Sequence, residues 1–495
     1  MQFPLLSVII FIPLVAGLAI LLFPAGRREW IRYTALGAAS LTLLLSFILY
    51  LSYDSSQAGY QFLEEMPWVP ALGISYHMGV DGISVPLVLL AGIVVFCGVL
   101  ISWNVEERPR EFFAFLLFLA TSVLGVFCSL DLFQLFFFFE LAVFPKYLMI
   151  INWGYPKTRE YGAMKLTLYL LAGTALVVPA ALAVYWAAGL NTFDLVRLTS
   201  VTYGHTFQVV VYPFLFIGFG ILAGMWPLHT WSPVGHVAAP TAVSMLHAGV
   251  LMKLGAFGVL RIGMVLVPDA AAWWAPIVGA VAVVNVLYGA LCAASQKDLK
   301  YIVAYSSVSH MGVVMLGIAT MNAAGWNGAV YQMVAHGIMT GLFFALVGLV
   351  YERAHTRAIR KMGGFGRVMP GVAAFFTLAC LSSLGLPGTA GFVSEFVVFL
   401  GAWKSGHYLW TVAGVLGAFV TAIYVLRATR SIFWGPGPTD DFHELTDARR
   451  TEWGSLVLLG TGLVVLGVWP RLLMDMIDIG SSRYLPMVLA MGGPS

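Results

Sequence analysis

Long apolar runs separated by short polar stretches make up most of this chain of 495 residues. A helix needs about 20 mainly apolar residues to cross a bilayer, and about fourteen runs come close to that length. They lie near residues 5–23, 31–52, 81–102, 112–128, 131–151, 164–189, 208–228, 237–265, 271–294, 300–320, 326–351, 369–400, 408–432 and 452–470. Numbered as spans one to fourteen, they predict an all-α, polytopic membrane helix bundle.

Two of the spans contain proline beside glycine. Span seven includes Gly224-Met225-Trp226-Pro227, and span twelve includes Gly385-Leu386-Pro387-Gly388. Because proline removes a helical hydrogen bond, we expect both helices to break, although ordinary membrane kinks would explain the prolines equally well. The two prolines are 160 positions and five spans apart. Matching broken helices are typical of repeat-built transporters, and an odd number of spans would invert the second repeat relative to the first.

The bundle is predicted to be a single domain, since no Ser/Gly/Pro-rich linker divides it. We expect it to comprise helices one to three (1–110), a first five-helix repeat (111–265), a second inverted repeat (266–435), and the last helix with a C-terminal tail (436–495). The first run lacks a basic leading region, so it is expected to remain as helix one instead of being cleaved.

Basic residues in the loops predict the orientation of the bundle. Loops after odd-numbered spans hold 18 of the 26 Lys and Arg residues, whereas the opposite side holds 5. The odd loops should therefore face the cytoplasm, with both termini on the non-cytoplasmic side of a membrane that we expect to be the bacterial inner membrane. Arg261 is counted with the outer loops. The remaining three basic residues, Lys146, Lys165 and Lys253, fall in or near spans.

Composition supports the membrane assignment and argues against a redox centre. Apolar residues form 60% of the chain and charged residues 10%, and the mean hydropathy is +0.89, which excludes an ordinary water-soluble globule. The net charge of +3 follows from the loop asymmetry, and no basic tract indicates nucleic acid. Four cysteines lie singly in apolar runs without metal or cluster spacing. We expect no metal and no cofactor bound to this chain.

Ionisable residues recur inside the spans, where charge is costly. Glu140 follows four phenylalanines in span five, and a charge at the bilayer centre costs roughly 2.5–3.5 kcal/mol on insertion scales, so an acid there indicates function. Lys253, His310, His336 and Glu395 occupy spans eight, ten, eleven and twelve. Each alone could be a packing residue. As a series of acids, a lysine and histidines, they indicate a proton relay.

Three further histidines lie near this series. His229 and His236 flank a short turn and could form a cytoplasmic entrance or cap the loop. His247 lies just under two turns before Lys253 and could belong to the same path. Lys300 is predicted to belong to a solvated helix start.

Four segments resemble a known family: Phe136–Pro145, Pro227–Thr241, Lys300–Gly312 and Gly385–Phe396. Together they resemble the antiporter-like subunit M, or chain 4, of proton-pumping NADH:quinone oxidoreductase, respiratory complex I. The related subunits L and N usually carry lysine at the position of Glu395, so the chain is most similar to M.

The resemblance implies roles for the buried residues. Glu140 would be the first-half acid coupled to a neighbouring lysine, Lys253 the central lysine, His310 and His336 its relay, and Glu395 the terminal proton site. It also implies that the partners are other membrane subunits, especially L and N, within the lipid bilayer. Flavin, iron-sulfur clusters and quinone chemistry would belong to partner subunits, so the chain would be a non-redox part of a translocating enzyme.

One position departs from the family pattern. A lysine is usual five positions before the proline of span seven, and this chain has Leu222 there. Lys146 or Lys165 could substitute for it. Six residues are about 240° around a straight helix, so Lys146 should not share the face of Glu140, and Lys165 is the better geometric candidate. Otherwise, this half no longer pumps.

Alternative functions remain open at this point. The chain could be a subunit of a multi-subunit cation/proton antiporter, a subunit of a membrane-bound hydrogenase, or a structural spacer that has lost pumping. The segment ending at Pro145 and the segment leading to Glu395 favour complex I.

Overall fold

The protein is a bundle of membrane helices. The computed structural model describes residues 3–24, 26–435, 442 and 445–491. Within these residues, 13 helices are long and apolar enough to cross a membrane. Span twelve, divided into two shorter helices, completes the predicted set. The predicted all-α membrane bundle is therefore confirmed.

The N-terminal half contains spans one to seven and a small outer hairpin. In chain order, the elements are α1 (Leu5–Leu22), α2 (Arg28–Ser52), β1 (Gln61–Val69), β2 (Ile74–Val80), α3 (Ser84–Ile101), α4 (Pro109–Cys128), α5 (Leu132–Leu141), α6 (Val143–Trp153), α7 (Arg159–Ala188), α8 (Leu195–Leu198), α9 (His205–Ala223) and α10 (Trp231–Ala238). Helices α5 and α6 together form span five.

Spans eight to fourteen follow. Span eight is Thr241–Leu266, in which α11 (Thr241–Leu246), α12 (Met252–Gly258) and α13 (Met264–Leu266) are joined by two π-helical turns. The remaining helices are α14 (Pro268–Ser295), α15 (Leu299–Ala319), α16 (Ala323–Ala354), α17 (Pro370–Ser383), α18 (Ala390–Lys404), α19 (Tyr408–Phe433), α20 (Arg450–Val468) and α21 (Arg471–Met491).

The two broken helices end in the same way. Gly224 after α9 has φ +75° and Gly385 after α17 has φ +77°. Each glycine N–H donates to the carbonyl three residues earlier, and the next N–H donates to the carbonyl five residues earlier, at 2.9 Å in both cases. This is a Schellman cap, in which a left-handed glycine ends a helix at low steric cost. The breaks predicted at Pro227 and Pro387 are therefore confirmed.

Burial separates an inner group of spans from an outer ring. In the most apolar stretches of spans ten and eleven, 94% of the residues are buried, and in that of span eight all of them are. By contrast, 33% of the residues are buried in the corresponding stretches of α2, α7, α19 and α20. The inner spans are those that carry Lys253, His310 and His336, so these residues lie in the centre of the bundle.

The loop between α2 and α3 forms an antiparallel β-hairpin, β1 with β2, in which Glu65 pairs with His77. The sequence does not predict these strands. His77 Nδ1 lies 2.9 Å from Asp194 Oδ2, and Glu65 offers a carboxylate oxygen within 4.8 Å of both side chains. Burial raises the pKa of Asp194, but hydrogen bonds from His77 and from the Arg197 N–H hold it below its ordinary value. These contacts tie the hairpin to the outer end of the bundle.

The C-terminal segment forms a helix, α21, where the sequence predicts only a tail. Its Tyr484 joins a buried ion pair between Asp81, at the end of the hairpin, and Arg261 in span eight. Arg261 donates to both Asp81 oxygens at 2.6 and 2.7 Å, and the Tyr484 hydroxyl donates to Asp81 at 3.1 Å. Arg261 is thus a buried membrane residue, contrary to its prediction as an outer-loop cation.

Candidate functional site: a buried row of titratable side chains

Lys253 lies in α12, between the two π turns of span eight. Such turns frequently occur at functional sites because they disturb the regular hydrogen-bond pattern of the helix. The side chain is completely buried. Its ammonium donates to the Ala248 carbonyl and lies 2.7 Å from His336 Nδ1. Within the described part of the chain, the partners of Lys253 are thus a carbonyl and an imidazole.

His336 on α16 connects Lys253 to His310 on α15. The two imidazole rings have centroids 5.2 Å apart and planes inclined by 37°. His336 Nε2 is buried and has no hydrogen-bond partner among the described residues. A buried polar nitrogen of this kind requires an explanation, and a bridging water is the usual one.

His310 makes contacts of opposite hydrogen-bonding character. Its Nδ1 lies 3.1 Å from Glu395 Oε1 and 3.2 Å from the Gln332 amide nitrogen, and its Nε2 lies 3.1 Å from Ser383 Oγ. The amide is a donor and the carboxylate an acceptor. Nδ1 therefore accepts from Gln332 when it is unprotonated and donates to Glu395 when it is protonated. Either protonation state has a partner in place.

Glu395 is supported by the break in span twelve. It lies on α18, just after the interruption, and is 6% exposed. A methyl group at Gly385, on the other side of the break, would approach Glu395 Oε2 to 3.2 Å. The broken helix therefore brings its own backbone close to the carboxylate. Lys253, His336, His310 and Glu395 form one connected row, and we refer to these four residues as the central row.

Glu140 lies apart from the central row. It is in the last turn of α5 and half-buried, and its Oε1 is buried without a hydrogen-bond partner in the described part of the chain. The helical hydrogen bonding is interrupted at Ala142, between α5 and α6. Pro145 accounts for this interruption, since it has no N–H to donate to the carbonyl four residues before it.

The two candidate substitutes for a lysine at Leu222 have different surroundings. Lys146 on α6 is 2% exposed and lines a cavity together with Leu222 and His247. Lys165 on α7 is only partly buried, and its ammonium lies 5.6 Å from the Tyr161 ring centroid. The preference for Lys165 rested on the angle between positions on span five, and not on the surroundings of either lysine. The structure brings Lys146, not Lys165, to Leu222.

His236 and His247 form a stacked group next to that cavity. Their ring centroids are 4.3 Å apart, Trp231 stacks on His247 at 5.1 Å, and Phe344 stacks on His236 at 4.9 Å. All four of their ring nitrogens are buried without a hydrogen-bond partner among the described residues. Loop capping therefore does not explain His236. His229 lies elsewhere, 5.1 Å from the Tyr288 ring.

A larger cavity opens on the predicted cytoplasmic side. It has a volume of about 440 Å³, and Tyr155, Val237, Lys300, Tyr351 and Arg357 are among its lining residues. The Lys300 ammonium donates to the Ala239 carbonyl at 2.6 Å. Lys300 is 8% exposed, so the prediction of a solvated lysine at this helix start is wrong, although Asp298 does cap α15.

Sequence reasoning missed several polar side chains that hold the central row. Gln332 lies four residues before His336 on the same face of α16, and this spacing could have indicated it. Ser394 donates to the Gln332 carbonyl oxygen. Ser383 lies two residues before Gly385, and nothing in the sequence distinguishes it from other serines in the spans.

The fold and the central row define an integral, multi-pass membrane protein of the transporter class, with titratable groups enclosed between two broken helices. Residues 129–421 match the family described as "NADH:quinone oxidoreductase/Mrp antiporter, TM". The chain belongs to this family.

Individual relatives agree with this assignment. The chain is 40% identical over 472 residues to a protein of Microcystis aeruginosa named NAD(P)H-quinone oxidoreductase chain 4 2, covering 94% of this chain and 85% of the relative. A chain of respiratory complex I from Thermus thermophilus is 29% identical, with a TM-score of 0.89, and the match covers 99% of this chain and 100% of that chain. The resemblance to subunit M, or chain 4, is therefore confirmed.

The Mrp complex from Dietzia sp. DQ12-45-1b contains a chain of the same fold. The match covers 100% of both chains with a TM-score of 0.85, but the identity is 18%. At this identity the likeness concerns the fold alone.

Proposed function

We propose that this chain is a proton-translocating membrane subunit of an NAD(P)H-quinone oxidoreductase of the complex I type. Family membership and the 40% identity to a chain named for that enzyme support the assignment. The observation that carries the proposal is the central row, in which a lysine, two histidines and a glutamate follow one another through the core of the bundle.

The geometry suits proton transfer in steps. A protonated Lys253 donates to His336 Nδ1 across 2.7 Å. Imidazole carries a proton between its two nitrogens, so loss of the Nε2 proton towards His310 completes the next step. The ring centroids are 5.2 Å apart, which leaves this transfer within reach of a single-water bridge. His310 then donates to Glu395 across 3.1 Å.

Gln332 allows His310 Nδ1 to act as a hydrogen-bond acceptor as well as a donor. When His310 has passed its Nδ1 proton to Glu395, the amide of Gln332 can donate to the vacated nitrogen. The neutral imidazole is thereby stabilised, and immediate return of the proton is disfavoured. Release of the proton from Glu395 then resets the row.

We further propose that Glu140, Lys146, His236 and His247 supply the first half of the path. Glu140 Oε1 and the nitrogens of His236 and His247 are buried without partners among the described residues. Water bridges between such groups would connect them. The cavity at Lys300 provides access from the cytoplasmic side.

The electron-transfer chemistry is assigned to partner subunits. All four cysteines are free thiols, of which Cys97, Cys128 and Cys380 are buried in different helices. This arrangement does not fit the four-thiolate ligation of an iron-sulfur cluster. We propose that flavin, clusters and the quinone site lie in other subunits, and that this chain contacts membrane subunits L and N in a bacterial inner membrane, with both termini outside.

The proposal is tested with the complex reconstituted in proteoliposomes. Protons moved per electron are measured for the native complex, for Glu395→Gln and for Glu29→Gln, a change at an exposed carboxylate in the first turn of α2. We expect Glu395→Gln to lower the ratio and Glu29→Gln to leave it unchanged. An unaltered ratio in Glu395→Gln would contradict the central row as the proton path.

Purification distinguishes the alternatives. Flavin, iron-sulfur clusters and NAD(P)H oxidation in the complex support the proposal. Nickel in the complex would point to a hydrogenase, and cation exchange without any electron transfer would point to an antiporter.

A further inference from the structure

The cavity beside Lys146 brings unsatisfied titratable groups together in an otherwise apolar place. Leu170, Leu222 and Trp231 form part of its wall, and His247 is its second titratable lining residue. Its volume is about 10 Å³, close to the minimum that a single water molecule occupies. One water can therefore join Lys146 and His247.

Lys146 is also within electrostatic range of Glu140. The Glu140 Oε1 atom is buried and has no hydrogen-bond partner in the described part of the chain. A lysine ammonium is the kind of partner that such an oxygen lacks. Glu140 and His247 therefore each have hydrogen-bonding atoms without a partner among the described residues, and both are near this lysine.

Lys146 lies on α6, which directly follows the helix α5 that carries Glu140. Its side chain borders the same space as Leu222 of α9. A lysine at position 222 would reach this space from the opposite wall.

The two broken helices carry corresponding residues just before their capping glycines. Leu222 lies two residues before the capping Gly224, and Ser383 lies two residues before the capping Gly385. The Ser383 hydroxyl binds His310. The corresponding position in the first break therefore also faces a polar path, but leucine cannot contribute to it.

We propose that Lys146 is the proton-carrying lysine of the first half of this chain, taking the place that Leu222 cannot fill. Its neutral amine accepts a proton from the Glu140 carboxyl, which leaves a carboxylate and an ammonium. The ammonium then passes the proton to a free ring nitrogen of His247 and becomes neutral again. His236, whose ring centroid lies 4.3 Å from that of His247, continues the path towards Lys253. This inference rests on the proposed function.

The experiment compares three variants in the reconstituted complex. Lys146→Met keeps the length of the side chain but removes the proton carrier, Lys165→Met is the matched control on α7, and Lys146→Met with Leu222→Lys returns a lysine to the cavity from its other wall. Each is measured as protons per electron, with the rate of electron transfer recorded in parallel.

We expect Lys146→Met to lower the ratio to the value found for Glu395→Gln, because both would block the same path in series. Lys165→Met should leave the ratio unchanged, and the double variant should recover most of the loss. An unchanged ratio in Lys146→Met, alongside a lowered one in Glu395→Gln, would overturn this inference alone. An unchanged ratio in both would overturn the proposed function.

Assembly of the complex is controlled separately. If Lys146→Met does not assemble, Lys146→Gln provides the same measurement with a polar, non-carrying side chain. A lowered ratio that Leu222→Lys fails to restore would contradict the idea that both positions serve one place.

Discussion

His310 Nδ1 lies 3.1 Å from Glu395 Oε1. This contact joins span ten to α18, the helix that follows the break in span twelve. The same nitrogen lies 3.2 Å from the Gln332 amide. Because one neighbour accepts and the other donates, His310 is stabilised in both protonation states.

Gln332→Leu should slow proton translocation. Without the amide, the neutral His310 loses a hydrogen bond worth about 1 kcal/mol, or more where a charged group takes part. A change of about 1.36 kcal/mol in the activation free energy corresponds to about tenfold in rate. We expect the rate of proton translocation to fall about tenfold when the driving force limits that rate. Gln332→Glu, which places a second acid beside His310, should also slow it. Normal rates in both variants would show that the amide has no part in transfer.

Lys253→Met and His336→Gln should not be additive. The two side chains are 2.7 Å apart and act in series, so either change alone interrupts the path. We expect the double variant to pump as poorly as the worse single variant. Independent losses in proton-to-electron ratio, adding up in the double variant, would indicate two separate paths.

Asp81→Asn should destabilise the outer side of the bundle. Removal of one partner from a buried ion pair leaves an uncompensated charge and costs about 3–5 kcal/mol. Tyr484→Phe removes only a hydrogen bond and should cost about 1 kcal/mol. Thermal stability of the purified complex and protease sensitivity of α21 measure both effects. Equal stability of the two variants would show that the ion pair does not hold α21.

Gly255→Ala should push span eight away from span seven. A methyl group there would lie 2.4 Å from the Ala223 nitrogen and 2.5 Å from the Phe219 oxygen, both backbone atoms. Overpacking of this kind costs about 1–3 kcal/mol. Gly37→Ala is the control, because its methyl group would meet no atom within 4 Å. We expect lower thermal stability and lower pumping in the first variant only.

The membrane spans and their two breaks were predictable because they depend on local sequence. Span length and hydropathy follow from consecutive residues, and the breaks follow from Pro227 and Pro387 with their neighbouring glycines. The members of the central row were also identifiable, since each is a polar residue inside an apolar run. Their connection was not, because it depends on which face each helix turns towards its neighbours.

The predictions for Lys165 and Lys300 show what cannot be inferred from neighbouring residues in the sequence. Lys165 was favoured over Lys146 from the angle between positions 140 and 146 on a helix, but Lys146 is the lysine that lines a cavity with Leu222. Lys300 looked solvated because it follows a polar segment, yet α10 and α16 cover it. The β-hairpin and α21 were missed because the first is short and polar, and the second has too few apolar residues to resemble a span.

Two acids and two lysines, Glu140, Glu395, Lys146 and Lys253, are enclosed in the membrane interior. With all four ionised, the charges of these four groups cancel. Entry of one proton leaves an excess positive charge in a medium of low dielectric, where such an excess is far more costly than in water. The least costly way to remove it is to release a proton elsewhere in the same interior. Uptake at one end and release at the other would therefore be two parts of a single charge balance.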